Sequence, residues 1–252
     1  MNRSLTEPEK IRYARHLNIP EIGEAGQLKL KDASVIVVGT GGLGSASAAY
    51  LAAAGVGRLA IVDSDVVELS NLQRQIVHGT STLGRPKVDS ARQRLADINP
   101  EIRIETWQVR VEEGNVREIL GDYPIVVDAS DNFETRYLLN RACAETEKIF
   151  IYGAVYQFYG QMSVFDARKG PCFQCVFRKM PGEDTMRANR GVGVVGALPG
   201  VIGSMQALEV LKLILGIGEP AIGRLLLYDG LAVSVQDVRA EKDPACPVCG
   251  RL

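Results

Sequence analysis

The hydrophobic pattern along this chain changes its period several times, and each change predicts an element. Positions 34–38 form a short, uninterrupted apolar run rich in β-branched residues, as a strand covered on both faces requires. The run enters a glycine turn, and 43–54 follow as a helix with unusually small side chains. Strand and helix then alternate: strand 59–62, helix 87–98, strand 102–109, short helix 116–120, strand 125–129, helix 133–145 and strand 149–153. Such an order predicts an α/β fold, a Rossmann-like, doubly wound and mostly parallel sheet with helices on both faces.

The two ends of the chain depart from this alternation. At the start, Thr6 and Glu9 form a capping box with Pro8 in the first turn. Ile11, Ala14 and Leu17 predict one apolar stripe on that helix, with Arg12 and Arg15 on another face. After about residue 155, a strand at 161–165 precedes a Cys172/Cys175 pair, and 178–193 is polar, rich in Gly and Arg, and aperiodic, as in a mobile crossover loop. Pro199 opens a long apolar helix ending at Gly216. Runs at 225–228 and 233–238 flank Asp229-Gly230 and predict a hairpin, so antiparallel strands should extend the sheet. The chain divides into an N-terminal helical segment (1–30), a nucleotide-binding half (31–155) and a second half (156–252), with no internal repeat.

Composition narrows the function classes. The 252 residues carry a net charge of -1 with 46% hydrophobic and 23% charged positions, the profile of a soluble globular protein. Near-neutrality argues against nucleic acid or an anionic membrane as the main partner. Arg3, Glu7, Glu9 and Lys10 interrupt the stretch where a signal peptide would need its apolar core, which predicts a cytoplasmic protein. Positions 33–57 are free of charge and long enough to raise a membrane span, but six glycines there favour strand, turn and packed helix.

The glycine turn carries the first candidate chemistry. Gly39, Gly41 and Gly44 make GxGxxG between a predicted strand and helix, and Asp63 ends the next strand nineteen residues on. Glycines allow the tight turn and close approach to a nucleotide, the helix start offers free N–H groups, and a carboxylate can accept from ribose hydroxyls. Asp65, Asn71, Arg74 and Lys87 follow within one βα unit, and Asp131 stands just beyond another strand. A triphosphate needs such cations and a carboxylate to hold magnesium, which favours ATP and Mg2+ over a dinucleotide. An NAD-dependent oxidoreductase would need a proton donor near the hydride acceptor, and His16 and His78, the two histidines, are not at later strand ends. A nucleotide-dependent binding module without turnover is the alternative from another class.

Four of the five cysteines form two CxxC pairs, Cys172/Cys175 and Cys246/Cys249. Four thiolates fill a tetrahedral zinc shell and leave no position for a reactive water, so the zinc would be structural. Cys143 remains, within a predicted helix among core-spaced Leu138, Leu139 and Ala142.

Taken together, GTGGLGSA, VDSDVVELSNLQRQ, GRPKV, ASDN, the two cysteine pairs, RYARH and PGVIGSMQALEVLKL resemble the ThiF/MoeB/HesA family of ubiquitin-activating-enzyme-like adenylyltransferases, over essentially the whole chain. The resemblance implies a homodimeric single adenylation domain over 1–252, whose second half, with the 178–193 loop, binds the carrier and zinc. It would use ATP to adenylylate the C-terminal glycine of a ubiquitin-like sulfur carrier protein ending in Gly-Gly, releasing pyrophosphate. The setting would be thiamine, molybdopterin or related sulfur transfer, with a sulfurtransferase or cysteine desulfurase as donor. By the same resemblance Gly41 and Gly42 line the nucleotide, Asp63 holds the ribose, and Asn71, Arg74 and Lys87 contact phosphates. Asp131 binds magnesium, and Arg15, with Arg12 as the nearby alternative, reaches the neighbouring subunit's phosphates. Several relatives carry a loop cysteine that joins the carrier covalently; here Asn189 stands at about that position, which implies a reaction without that step. A member acting on a peptide or tRNA-linked carboxylate is the alternative within the family.

Overall fold

A computed structural model describes residues 4–182, 184 and 191–252. Residues 183 and 185–190 of the expected crossover loop, Asn189 among them, lie outside the described residues. Eight strands form one sheet in the order β3-β2-β1-β4-β5-β6-β7-β8. Five are parallel: β1 (Ser34–Val38), β2 (Arg58–Val62), β3 (Arg103–Trp107), β4 (Ile125–Asp128) and β5 (Ile149–Tyr156). β6 (Tyr159–Phe165), β7 (Arg224–Asp229) and β8 (Ser234–Arg239) continue it antiparallel. The mixed sheet expected from the pattern is therefore the one formed.

The apolar runs are explained by two cores. Val35, Val37, Leu59, Ile61 and Val127 face one side, where α4 (Gly42–Ala54), α5 (Lys87–Ile98) and α9 (Ala197–Leu215) cover them. Ile36, Val38, Ala60, Val62 and Val126 face the other, under α6 (Val116–Leu120), α7 (Phe133–Glu145) and α8 (Phe173–Val176). Central strands with no wet face must be apolar at every position, and each fully buried Val, Leu or Ile contributes roughly 1.5–3 kcal/mol. The small side chains of α4 have a packing reason: a Cβ on Gly203 of α9 would lie 2.4 Å from the Leu43 carbonyl oxygen, so the two helices meet backbone to backbone. Half of the apolar window of α9 is buried in this packing.

The N-terminal stripe is where the sequence expectation fails. The capping box forms, with Thr6 N–H donating to Glu9 Oε2 at 2.8 Å and Glu9 N–H to Thr6 Oγ1 at 3.3 Å. The helix then breaks at Tyr13 into α1 (Glu7–Arg12) and α2 (Ala14–Leu17), and Ile11 is 79% exposed. The buried face is Leu5, Glu9 and Tyr13 instead. Polar anchoring decides it: Glu9 pairs with Lys31 of α3 (Gly23–Asp32), and the Tyr13 hydroxyl accepts from Asn99 Nδ2 at 2.9 Å. Smaller differences are at element ends. β3 is shorter than expected, β5 longer, and α9 starts two residues before Pro199, which sits in its first turn.

Candidate functional site

The parallel register brings the carboxyl ends of β1, β2 and β4 to one level: Val38 lies beside Val62 on one side and Asp128 on the other. The chain leaves β1 for β2 on one flank and later returns to β4 on the opposite flank, so the crevice beyond Val38 is the topological switch point, where open α/β sheets bind ligands. The glycine turn fills it. Gly39 has φ +97°, and a Cβ there would lie 2.5 Å from the Ala129 carbonyl oxygen. A Cβ on Gly44 would lie 2.0 Å from the Gly39 carbonyl oxygen. Gly41 is the exception: a Cβ there would meet just Gln75 Nε2, at 3.7 Å, so the backbone at the start of α4 is open to a ligand.

Asp63 braces this turn. Its Oδ2 accepts from Thr40 N–H and Thr40 Oγ1, both at 2.8 Å, and its Oδ1 from Asp65 N–H at 2.9 Å. Lys87, 8% exposed in its side chain, is paired with Asp65 at 2.8 Å, which ties the start of α5 to the end of β2. Asn71 and Arg74 come from the short 310 segment Leu69–Asn71 and the turn after it. The Arg74 side chain passes 3.5 Å from the Cβ position of Gly42, and its Nη1 donates to the Ser70 carbonyl at 3.2 Å. Asp131, exposed, stands in the turn between β4 and α7.

Of the residues expected at the site, the structure thus gathers Gly41, Gly42, Asp63, Asp65, Asn71, Arg74, Lys87 and Asp131 at one sheet edge. Arg15 is not among them. Tyr13 packs on Gly55 just beyond α4, His16 Nδ1 lies 3.0 Å from Gln27 Oε1, and Arg12 Nη1 donates to the Ile98 carbonyl at 2.8 Å. These contacts lie at the far end of the thirteen-residue α4, about 18 Å from the glycine turn.

Several buried residues behind the turn were not singled out from the sequence. His78 is buried, its Nε2 3.0 Å from the Thr40 carbonyl oxygen and its Nδ1 2.9 Å from Ser90 Oγ, so it holds the glycine turn from behind. Burial is the main cause holding its imidazole below the usual range. Gln75 is buried behind Gly41. Asp128, a carboxylate ending an otherwise apolar strand, is fully buried with Arg136 at 3.4 Å. Burial pushes its carboxyl up, against the opposing pull of Arg136 and Ser130. An acid closing an apolar run was the one visible hint.

The four paired cysteines converge elsewhere. Their Sγ atoms all lie within 4.8 Å of one another, with Cys172–Cys175 at 3.9 Å, Cys172–Cys246 at 3.6 Å and Cys175–Cys249 at 3.4 Å. A tetrahedron with metal–sulfur bonds of about 2.3 Å has sulfurs roughly 3.8 Å apart, so the cluster is positioned to bind a metal. Asn140 of α7 orients it, accepting from Phe173 N–H at 2.8 Å and directing Nδ2 at Cys172 Sγ. Asn140 lies seven residues, roughly 10 Å, along α7 from its first residue, Phe133, and Asp131 stands in the turn before that. Cys143 is fully buried on the same helix, and burial raises its thiol far above the usual range.

Residues 13–248 match the ThiF family. The chain belongs to the ThiF family. Within it, the chain is 47% identical over 250 residues to the sulfur carrier protein adenylyltransferase of Thermus thermophilus, covering 97% of this chain and 92% of that protein. It is 44% identical to the SAMP-activating enzyme E1 of Haloferax volcanii, covering 99% and 92%. It is 47% identical to the adenylyltransferase and sulfurtransferase MOCS3 of Culex quinquefasciatus, covering 97% of this chain but 56% of that longer protein. The fold also matches the crystal structure of E. coli MccB with ATP, with a TM-score of 0.84 at 22% identity, over 95% of this chain and 74% of that one. In this ThiF-family chain the glycine turn and the cysteine cluster are separate centres joined by α7.

Proposed function

We propose that this protein adenylylates the C-terminal glycine carboxylate of a small ubiquitin-like sulfur carrier protein. The observation that carries the reading is the open Gly41 backbone at the switch point, with Asp63 bracing the turn and Arg74 beside Gly42, in a chain 47% identical to a sulfur carrier protein adenylyltransferase. The carrier carboxylate is its own nucleophile: its oxygen bonds to the α-phosphorus of ATP, and pyrophosphate leaves with the electron pair of the broken P–O bond. The protein's task is alignment and charge stabilisation. Asp63 accepts from the ribose, and the α4 start receives phosphate oxygens. Asn71, Arg74 and Lys87, the last released from Asp65, meet the phosphates. Asp131 would hold magnesium, whose charge would offset that of the phosphates.

The whole chain acts as one adenylation domain, in a homodimer. The distance of Arg15 from its own glycine turn supports its action on the partner subunit's site. Val201 and Leu208, two turns apart on α9, are exposed and suit a subunit contact. Tyr156, Phe158 and Tyr159 on the β5–β6 hairpin, with Leu231, Val233 and Val235 on β7–β8, leave an apolar strip that suits a protein substrate. The cysteine cluster holds a structural zinc, and five free cysteines suit the reducing cytoplasm. The unreactive setting of Cys143 supports release of the acyl-adenylate, or its direct transfer to a sulfurtransferase or desulfurase.

ATP–pyrophosphate exchange tests the reading. Exchange should require magnesium and rise with a Gly-Gly-ended carrier from a thiamine or molybdopterin pathway. NAD binding without any exchange would overturn it. For the shared site, Arg15→Ala and Asp131→Ala subunits should regain activity when mixed; no recovery refutes the trans role. A carrier thioester lost on Cys143→Ala would refute the noncovalent route.

A further inference from the structure

We propose that Asp128 and Arg136 are positioning residues that fix the 129–132 loop, and with it the Asp131 carboxylate, at the level of the glycine turn. The inference rests on the reading above that Asp131 is the magnesium-holding carboxylate. Neither residue reaches the ligand crevice by itself. Asp128 is buried on β4, and the Arg136 side chain, 9% exposed, lies over the rings of Phe133 and Tyr152.

Their hydrogen bonds converge on Ser130. Asp128 Oδ1 accepts from Ser130 N–H at 3.0 Å and from Ser130 Oγ at 2.6 Å, while Arg136 Nη2 donates to the Ser130 carbonyl at 2.9 Å. Every polar group of Ser130 is thus held by the pair. On its other side the loop rests on β1: Ala129 N–H donates to the Val38 carbonyl at 2.8 Å, and the Cβ position of Gly39 lies 3.2 Å from Ser130 N. Gln206 of α9 secures the base, donating to the Asp128 carbonyl at 2.7 Å and the Ile151 carbonyl at 3.2 Å. Beyond Asp131, Asn132 caps α7 by accepting from Thr135 N–H at 2.8 Å. Backbone is therefore pinned on both sides of Asp131, whose exposed carboxylate touches Asn132 Nδ2 at 3.5 Å.

Fold stability does not account for the pair. Desolvating two charges costs several kcal/mol per ion, and packed apolar side chains of similar volume serve a core as well or better. Ile125, Val126 and Val127, the preceding residues of the strand, are apolar. The pair is also loosely made: Asp128 Oδ2 and Arg136 Nε face each other at 3.4 Å, and neither makes a hydrogen bond. What the charges supply that apolar side chains cannot is the three-way hold on Ser130. That hold sets the height and direction of the next residue, and an ångström of error there matters for a carboxylate that would hold a magnesium ion.

The test separates folding from positioning. In the double variant Asp128→Leu/Arg136→Met, the thermal midpoint should stay near the wild-type value. ATP affinity in EDTA, measured by calorimetry, should stay within about threefold, while the gain in affinity on adding magnesium disappears, at least tenfold weaker by the relation of affinity to free energy. Hydrogen exchange of the 129–132 amides should accelerate at least about tenfold as the local opening free energy falls. Arg136→Lys keeps the charge and loses the hold on the Ser130 carbonyl, and should show both effects in weaker form; it serves if the double variant fails to fold. Retained magnesium enhancement together with unchanged loop exchange, in whichever variant folds, overturns the proposal. Asp131→Ala in the wild-type background is the separating control. If it leaves magnesium enhancement intact, the assignment of Asp131 is wrong, and loop exchange alone then decides the role of the pair.

Discussion

Glycines at the nucleotide turn offer a paired perturbation with opposite outcomes, Gly44→Ala and Gly41→Ala. On Gly44 the new methyl would sit 2.0 Å from the Gly39 carbonyl oxygen, 2.9 Å from its carbon and 3.3 Å from Ala129 Cβ. The nearest atoms are backbone just beyond β1, and 2.0 Å falls about 1.4 Å short of ordinary contact, so relief requires the turn itself to move. Overpacking of this kind costs about 3 kcal/mol, and the better helix propensity of Ala returns about 1 kcal/mol, leaving a net loss near 2 kcal/mol. For a chain of this size that corresponds to a midpoint lowered by about 4–8 °C. On Gly41 the methyl meets nothing closer than 3.7 Å and φ is -69°, so stability should change by less than about 1 kcal/mol, the cost of Ala at an N-cap. The methyl does occupy the space over the turn, and ATP affinity should fall about tenfold or more, about 1.4 kcal/mol. Thermal unfolding and calorimetric ATP titration of both variants read the two effects. A Gly44→Ala protein as stable as wild type would refute the steric reasoning, and unchanged ATP affinity in Gly41→Ala would remove that backbone from the ligand site.

Other residues give independent checks. Cys175→Ser should reduce bound metal, measured by elemental analysis after mild chelation, from one per chain towards zero and expose 240–252 to protease, while ATP binding persists because Asn140, which contacts the cluster, lies roughly 10 Å along α7 from the end nearer Asp131. Unchanged metal content would refute the four-thiolate site. Burial lowers the His78 pKa, so the unfolded chain binds that proton more tightly. Its contribution is complete above the unfolded value of about 6.5 and is lost as pH falls through the lowered folded pKa. The midpoint of His78→Gln should therefore fall less steeply than wild type between about pH 7 and pH 5; parallel slopes would contradict this. Trp107, the sole Trp, accepts from Asp63 N–H at 3.1 Å through its carbonyl, so ATP binding should change its fluorescence and Asp63→Ala should abolish the response. A silent Trp107 in a nucleotide-saturated wild type would place the ribose elsewhere.

The sequence was most readable where one local rule had no competitor. Central strands such as those at 34–38 and 125–128 have two covered faces, so an apolar run, broken in the second just by Asp128 at its end, was their signature. Gly39 and Gly44 were legible because the turn tolerates no Cβ; Asp63 and Asp131 stood out as candidates because each comes just after a strand, and Asp65, Asn71, Arg74 and Lys87 because they follow in the same βα unit. The N-terminal stripe was misread because propensity and periodicity were outweighed by two long-range polar contacts, Glu9 with Lys31 and Tyr13 with Asn99.

Sequence by itself therefore determined the alternation of elements, the glycine turn, the charged set and the paired cysteines, since each is written in neighbouring residues. Tertiary structure alone decided which of them meet. It joined cysteine pairs more than seventy residues apart, and it put Arg15 at the wrong end of α4 to serve its own turn. It also buried Asp128, Arg136 and His78 behind the glycine turn and the 129–132 loop. The physical reason is that a buried polar residue is defined by its partners, and those partners come from strands and helices that only the folded sheet brings together.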